Sequence, residues 1–171
     1  VHNRKVLERY RIPTYNLTAS RELAKYFAAK GLKNPIVISP DDEEIAIERA
    51  KCAAETINAD YDFLEKKRDR YTGEIVTYEK RMNVKGRDAI VIDDIISTGK
   101  TAANAVRILK KQGARRVFVG ASHALLLGDA VKILNEAHAE EIVGTDSVMN
   151  DYAKVSVAPI IVKALKKETG E

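Results

Sequence analysis

The chain has 171 residues, of which 45% are apolar and 32% are charged. This length suits one domain with a sizeable core, and the lack of any apolar run of about 18 residues excludes a membrane-spanning helix. The single cysteine excludes an internal disulfide and a cysteine-rich metal site, and it favours a reducing, cytoplasmic setting. The net charge of +4 suits an anionic ligand, while an aromatic content of 6% supplies few rings to stack on nucleic-acid bases. A phosphate-rich small molecule therefore fits the composition better than nucleic acid does.

Short apolar runs alternate along the chain with segments that have the periodicity of an amphipathic helix. Strands are predicted at 36–39, 61–64, 74–78, 89–92, 117–119 and 142–143. Helices are predicted at 20–30, 44–58, 101–112, 129–139 and 157–167, with Ser20 as the N-cap of the first. This alternation predicts βαβ units, so we expect residues 1–171 to form one α/β domain with a mainly parallel sheet. Ligands of such sheets bind at the carboxyl ends of the strands.

The segment 91–101 carries the clearest chemical pattern in the chain. An apolar strand leads into two adjacent carboxylates, Asp93 and Asp94, and a hydroxyl-rich loop then runs directly into a helix. The loop and the helix N-terminus form an anion cradle, whose residues are Ser97, Thr98, Gly99, Lys100 and Thr101. The acids would repel a phosphate but suit sugar hydroxyls or a metal ion, so a phosphorylated sugar satisfies both halves. A Walker A loop is excluded because Asp94 stands where that loop needs glycine.

This segment resembles the phosphoribosyl diphosphate (PRPP) loop of type I phosphoribosyltransferases and PRPP synthetases, with Lys100 in place of the second glycine. Other segments resemble the synthetases specifically. They are His2 with Ile12-Pro13, Pro40-Asp41, Glu48–Lys51, Leu64–Arg68, Ser122–Leu125 and Lys154–Ala158. The chain is thus similar to the C-terminal half of an archaeal-type PRPP synthetase, which implies a type I phosphoribosyltransferase-like fold. Members of that family carry an N-terminal half of comparable length, so the resemblance, together with the absence of an initiator Met, leads us to expect that an N-terminal half is missing.

The resemblance also implies a reaction, the transfer of a diphosphoryl group from ATP to ribose 5-phosphate, giving PRPP and AMP. Residues 97–101 are implied to hold the 5-phosphate, and Asp93 and Asp94 to meet the ribose hydroxyls or the metal. The implied catalytic cations are Lys66 and Arg68, on a mobile loop that closes over ATP, and the implied contacts of Mg²⁺ are His2 and Asp41. The adenine pocket of the synthetases is shared with a neighbouring subunit. We therefore expect a homo-oligomer, at least a dimer, and weak ATP binding by this chain alone.

Two other functions stay open at this point. A PRPP-consuming phosphoribosyltransferase is possible because that class shares the loop. A non-catalytic regulatory homologue is suggested by Lys100 and by Asp42-Glu43-Glu44, which replaces a glycine-rich step of the family and would repel a diphosphate unless a metal intervenes. The cations at 66–68 could equally be a solvated face, and Asp41 could simply cap the following helix.

Overall fold

The computed structural model describes residues 9–12, 14–68, 75–78 and 80–169, with the backbone alone at 66–68, 75–78 and 168–169. The helices are α1 (Ser20–Ala28), α2 (Glu44–Thr56), α3 (Lys100–Lys111), α4 (Ala130–Glu136) and α5 (Ala158–Thr169). The strands are β1 (Ile36–Ser39), β2 (Asp60–Phe63), β3 (Glu65–Arg68), β4 (Ile75–Tyr78), β5 (Asp88–Ile96), β6 (Arg116–Ala124), β7 (Glu141–Thr145) and β8 (Ala153–Val155). None of the helices in these ranges is long and apolar enough to cross a membrane.

Six parallel strands form the central sheet in the order β2-β1-β5-β6-β7-β8, which confirms the predicted α/β fold. The central strands are buried on both faces, so their sequences are continuous apolar runs. Alternate residues serve the two faces. Ile90 and Ile92 of β5 pack with Phe27 of α1 in one cluster, while Val91 packs with Leu109 of α3 in the other.

Asp88 ties the start of β5 to the start of β6. It is fully buried and accepts hydrogen bonds from Arg115, Arg116 and the Lys33 amide. Burial alone would raise the pKa of this carboxyl, but the two guanidinium groups outweigh it and hold the pKa well below its usual range. These bonds therefore fix the start of β5 relative to the start of β6.

Several predicted boundaries change in the structure. β5 runs to Ile96 and β6 to Ala124, so Asp93 and Asp94 lie within a strand and do not follow one. The reason is that parallel pairing of β5 with β6 continues past the apolar run. Ser20 is the first residue of α1, and the cap position is Ala19, so the N-cap prediction is wrong. Strand β8 had no predicted counterpart.

The charged segment after β2 also differs from expectation. Residues 64–68 were expected to begin a loop, but Glu65–Arg68 forms β3, which pairs antiparallel with β4. Glu65 lies opposite Tyr78, and Arg68 lies opposite Ile75. The backbone positions of Lys66 and Arg68 thus belong to a two-stranded ribbon that follows the edge strand of the main sheet.

Candidate active site

A pocket of about 290 Å³ lies at the carboxyl end of β5. Its walls are Asp41, the acidic pair Asp93 and Asp94, and residues 95–102. The structure thus brings together eight of the predicted site residues, including all those expected to bind the sugar phosphate. The side chains of Lys66 and Arg68 are outside the described part, as is the whole of His2.

The loop at 97–99 leads directly into α3, and the first residues of this helix line the pocket. Gly99 precedes the helix with a φ of 74°, in the left-handed region that favours glycine. The first helical hydrogen bond runs from the Ala103 amide to the Gly99 carbonyl (2.8 Å), so the amides of residues 100–102 have no acceptor within the helix. The Leu127 amide anchors the loop from the next connection by donating to the Ser97 carbonyl (2.9 Å). Such an arrangement is a preformed anion site.

The acidic pair is neutralised in part by Arg49 of α2. Its Nη1 lies 3.4 Å from Asp93 Oδ1, and its Nη2 lies 3.1 Å from Asp94 Oδ2. The pKa of Asp93 is nevertheless raised to about 7, first by burial and then by its hydrogen bond and repulsion with Asp94, which outweigh the attraction of Arg49. The pocket therefore contains a carboxyl group that is poised to change charge near neutral pH.

Arg49 is a site residue that sequence analysis noted only as part of the synthetase-like segment Glu48–Lys51, without an individual role. It lies 44 residues before Asp93 in the chain, on the helix that follows β1. The signal that was present is an arginine among the buried alanines Ala46, Ala50 and Ala53 of α2. An arginine on an otherwise small, buried helix face needs a carboxylate partner.

Asp41 does not cap α2. The cap position is Glu43, without a side-chain capping bond, and Asp41 Oδ1 accepts a hydrogen bond from the Glu43 amide (3.3 Å). Asp41 instead lines the same pocket as the acidic pair.

The pocket suits a magnesium ion that is shared with a phosphate. Among the residues that the structure describes, no three His, Cys, Asp or Glu side chains are grouped to hold a metal by themselves. Mg²⁺ usually binds to one or two carboxylates and completes its shell with water and substrate phosphate. Asp41, Asp93 and Asp94 supply this type of donor next to an anion cradle, so the donor set fits.

A second, larger cleft of about 510 Å³ adjoins the first, with Asp94 in the wall of both. Arg49 lines this cleft, together with polar side chains from the ends of β6 and β7. His123 Nδ1 lies 2.9 Å from Ser147 Oγ, and the Ser147 hydroxyl donates to the Ser122 carbonyl (2.8 Å). Sequence analysis noted Ser122–Leu125 as a synthetase-like segment but assigned no role to these individual side chains.

The fold and the pocket define a parallel α/β domain with an anion-binding loop beside an acidic pair. The chain belongs to the family described as the phosphoribosyl synthetase-associated domain, whose model matches residues 76–165. The match begins in β4 and ends in α5, so it includes β5, the loop and α3.

Named relatives point the same way. The chain is 38% identical to the ribose-phosphate pyrophosphokinase of Pyrococcus furiosus, over 96% of this chain and 57% of that protein. It is 37% identical to the Methanopyrus kandleri enzyme of the same name, over 99% of this chain and 58% of that protein. The chain thus spans somewhat more than half the length of these relatives, and the resemblance to PRPP synthetases is confirmed.

Solved structures agree on the fold. The phosphoribosylpyrophosphate synthetase of Mycobacterium smegmatis matches 99% of this chain and 56% of its own, with a TM-score of 0.74 at 26% identity. A purine phosphoribosyltransferase from Pyrococcus horikoshii matches 62% of this chain, with a TM-score of 0.50 at 17% identity, and shares the fold alone. The predicted type I phosphoribosyltransferase-like fold is therefore confirmed.

Proposed function

We propose that this chain is the ribose 5-phosphate-binding part of a ribose-phosphate pyrophosphokinase, which makes PRPP for nucleotide biosynthesis. The observation that carries the proposal is the pocket at the end of β5, where an acidic pair adjoins an anion-binding loop on one continuous segment, 93–101. A phosphorylated sugar has the two matching halves, an anionic phosphate and neutral hydroxyls. The names of the archaeal relatives favour the same reaction.

The loop and the start of α3 hold the 5-phosphate. Backbone amides and hydroxyl groups of residues 97–101 donate to the phosphate oxygens, and the helix dipole adds attraction. Lys100 is exposed and adds a positive charge where the family pattern has glycine. With the phosphate bound here, the sugar lies toward Asp93 and Asp94, whose carboxylate oxygens accept hydrogen bonds from its hydroxyls.

The reaction is an in-line displacement at the β-phosphorus of ATP. The anomeric oxygen forms the new bond to phosphorus, the bond from that phosphorus to the α–β bridging oxygen breaks, and AMP leaves as the hydroxyl proton is lost. Such transfers depend on positioning and on stabilising the charge that spreads over the phosphoryl oxygens. Lys66 and Arg68 supply cations for this charge. Asp41, the acidic pair and His2 would hold Mg²⁺, which would supply further neutralisation of the phosphate charge.

The test is a coupled assay of AMP formation from ATP and ribose 5-phosphate by the protein expressed from its complete reading frame. Lys66→Ala should lower kcat by about 100-fold or more, since it removes a cation that acts on the transition state. The matched control is Lys25→Ala, which removes an exposed lysine that pairs with Glu22 one turn away on α1 and should leave kcat unchanged. Absence of activity, or a Lys66→Ala variant equal to wild type, would contradict the proposal.

Two other outcomes would assign a different function. Release of pyrophosphate from PRPP on addition of a nucleobase, without AMP formation from ATP, would indicate a phosphoribosyltransferase. Binding of ribose 5-phosphate without turnover would indicate a regulatory homologue.

Assembly and ATP binding belong to the same proposal. The relatives are longer than this chain, and we expect the adenine site to need both their remaining part and a neighbouring subunit. The 171-residue chain alone should therefore bind ATP weakly, and the complete protein should be at least a dimer. The cytoplasmic location stays a prediction from the cysteine content.

A further inference from the structure

Arg49 joins the two carboxylates of the acidic pair through separate nitrogens of one guanidinium. Nη1 meets Asp93 Oδ1, and Nη2 meets Asp94 Oδ2. The Arg49 side chain is only 9% exposed, so both contacts form largely out of bulk water, where such pairs are strong. The planar fork of arginine is suited to this two-point contact, whereas the single ammonium group of lysine is not.

The acidic pair needs an external constraint because its geometry is unusual for a strand. Successive side chains of a strand point to opposite faces, yet one cation reaches both Asp93 and Asp94. Each carboxylate also accepts a hydrogen bond from the backbone amide of the next residue. Asp93 Oδ1 accepts from the Asp94 amide (2.8 Å), and Asp94 Oδ1 accepts from the Ile95 amide (2.9 Å). Arg49 and these two amides together set the rotation of both carboxylates.

We propose that Arg49 is a positioning residue, whose guanidinium holds Asp93 and Asp94 in the orientation that receives the sugar part of the substrate. The inference rests on the proposed function, because it assumes that the acidic pair meets a sugar. Arg49 lines the 510 Å³ cleft but not the 290 Å³ pocket. It therefore acts on a ligand of that pocket through the two acids.

This role predicts different effects on the binding of the sugar and of the phosphate. The anion cradle at 97–101 consists of the loop after β5 and the start of α3, and the connection after β6 anchors it. Within the described part of the chain, none of the hydrogen bonds of this cradle involves Arg49. A change at Arg49 should therefore weaken the binding of the sugar and leave the binding of phosphate intact. A general structural role for Arg49 would weaken both.

The experiment compares two ligands on this chain by calorimetry and by amide chemical shifts of residues 97–101. Ribose 5-phosphate engages both halves of the site, and inorganic phosphate engages the cradle alone. Arg49→Lys should lower the affinity for ribose 5-phosphate by about tenfold, because one of two charge-assisted hydrogen bonds is lost, and should change phosphate affinity by less than about twofold. Arg49→Met should have the larger effect on ribose 5-phosphate.

Arg49→Met leaves the acids without their cation, so the double variant with Asp93→Asn keeps the local charge balanced if the single variant does not fold. Lys51→Met is the matched control, since Lys51 lies on the same helix, is exposed and pairs with the neighbouring Glu55 at 4.0 Å. Wild-type affinity in Arg49→Lys, or an equal loss for both ligands, would overturn the positioning role. If the wild type itself binds ribose 5-phosphate no better than phosphate, the proposed function fails first, and the positioning role fails with it.

Discussion

Replacing Asp93 by Asn should raise the free energy of unfolding more at alkaline pH than at acidic pH. Burial and the neighbouring Asp94 raise the pKa of Asp93 from 3.8 to about 7. Between these values the folded chain keeps a proton that the unfolded chain has released, so stability falls as pH rises. Asn has the same shape, can accept the same hydrogen bonds through its amide oxygen, and has no charge to desolvate.

The size of the effect follows from this difference in proton binding. From about pH 5 to about pH 7, Asp93 is largely protonated in the folded chain and ionised in the unfolded chain, and each pH unit corresponds to about 1.4 kcal/mol. The free energy of unfolding of the variant relative to wild type should therefore increase by roughly 3 kcal/mol between about pH 5 and about pH 8. The Asp93 side chain is 14% exposed, so solvent screens little of this.

The assay is urea unfolding of this chain, followed by circular dichroism at both pH values with a chelator present. Asp88→Asn provides the contrast. Two arginines hold the pKa of Asp88 well below its usual range, so this carboxyl is ionised in both states at both pH values. Its replacement should lower stability by about 2–4 kcal/mol at each pH, because it breaks a buried ion pair. A stability difference between Asp93→Asn and wild type that does not change with pH would refute the reasoning.

Two further predictions concern glycines. Gly120→Ala should lower the free energy of unfolding by about 1–3 kcal/mol in urea titrations, because the new Cβ would lie 2.8 Å from Phe27 Cε2. Adding Phe27→Leu should restore part of the lost stability. An unchanged free energy of unfolding in Gly120→Ala would contradict the packing described. Gly99→Ala should weaken ribose 5-phosphate binding in calorimetry, because its φ is 74° and the new Cβ would lie 3.1 Å from the Ala130 carbonyl oxygen. Gly31→Ala is the control, because Gly31 has a φ of 64° and a new Cβ would meet no atom within 4 Å. This variant should lower stability and leave ribose 5-phosphate binding unchanged. An equal loss of binding in Gly31→Ala and Gly99→Ala would count against a role for the loop at residue 99.

The most accurately predicted elements are those that depend on residues close together in the chain. The apolar runs in β1 and in the centre of β5 identify buried strands because both faces of a parallel sheet are covered. The predicted helix at 101–112 is within one residue of α3, since Gly99 before it and Gly113 after it mark its two ends. The phosphate half of the site was predictable for the same reason, because all of its residues belong to one strand-loop-helix segment.

The strand ends and the charged strand that were predicted wrongly all depend on pairing between distant segments of the chain. The polar ends of β5 and β6 have no strand pattern of their own, and they are extended because each provides hydrogen bonds to the other. The charged residues at 65–68 are a strand because β4 lies opposite them. Strand propensity depends on such neighbours more than on the residues themselves.

The α/β class, the alternation of most strands and helices, and a candidate anion cradle next to two acids follow from the sequence alone, because each of these depends on residues adjacent in the chain. The contact of Arg49 with both acids, and the presence of Asp41 in the wall of the same pocket, depend on the tertiary structure. These contacts join residues more than 40 positions apart, and they exist because β1 and β5 are neighbours in the sheet. The charge state of Asp93 is likewise a property of the folded chain, since burial and the proximity of Asp94 produce it.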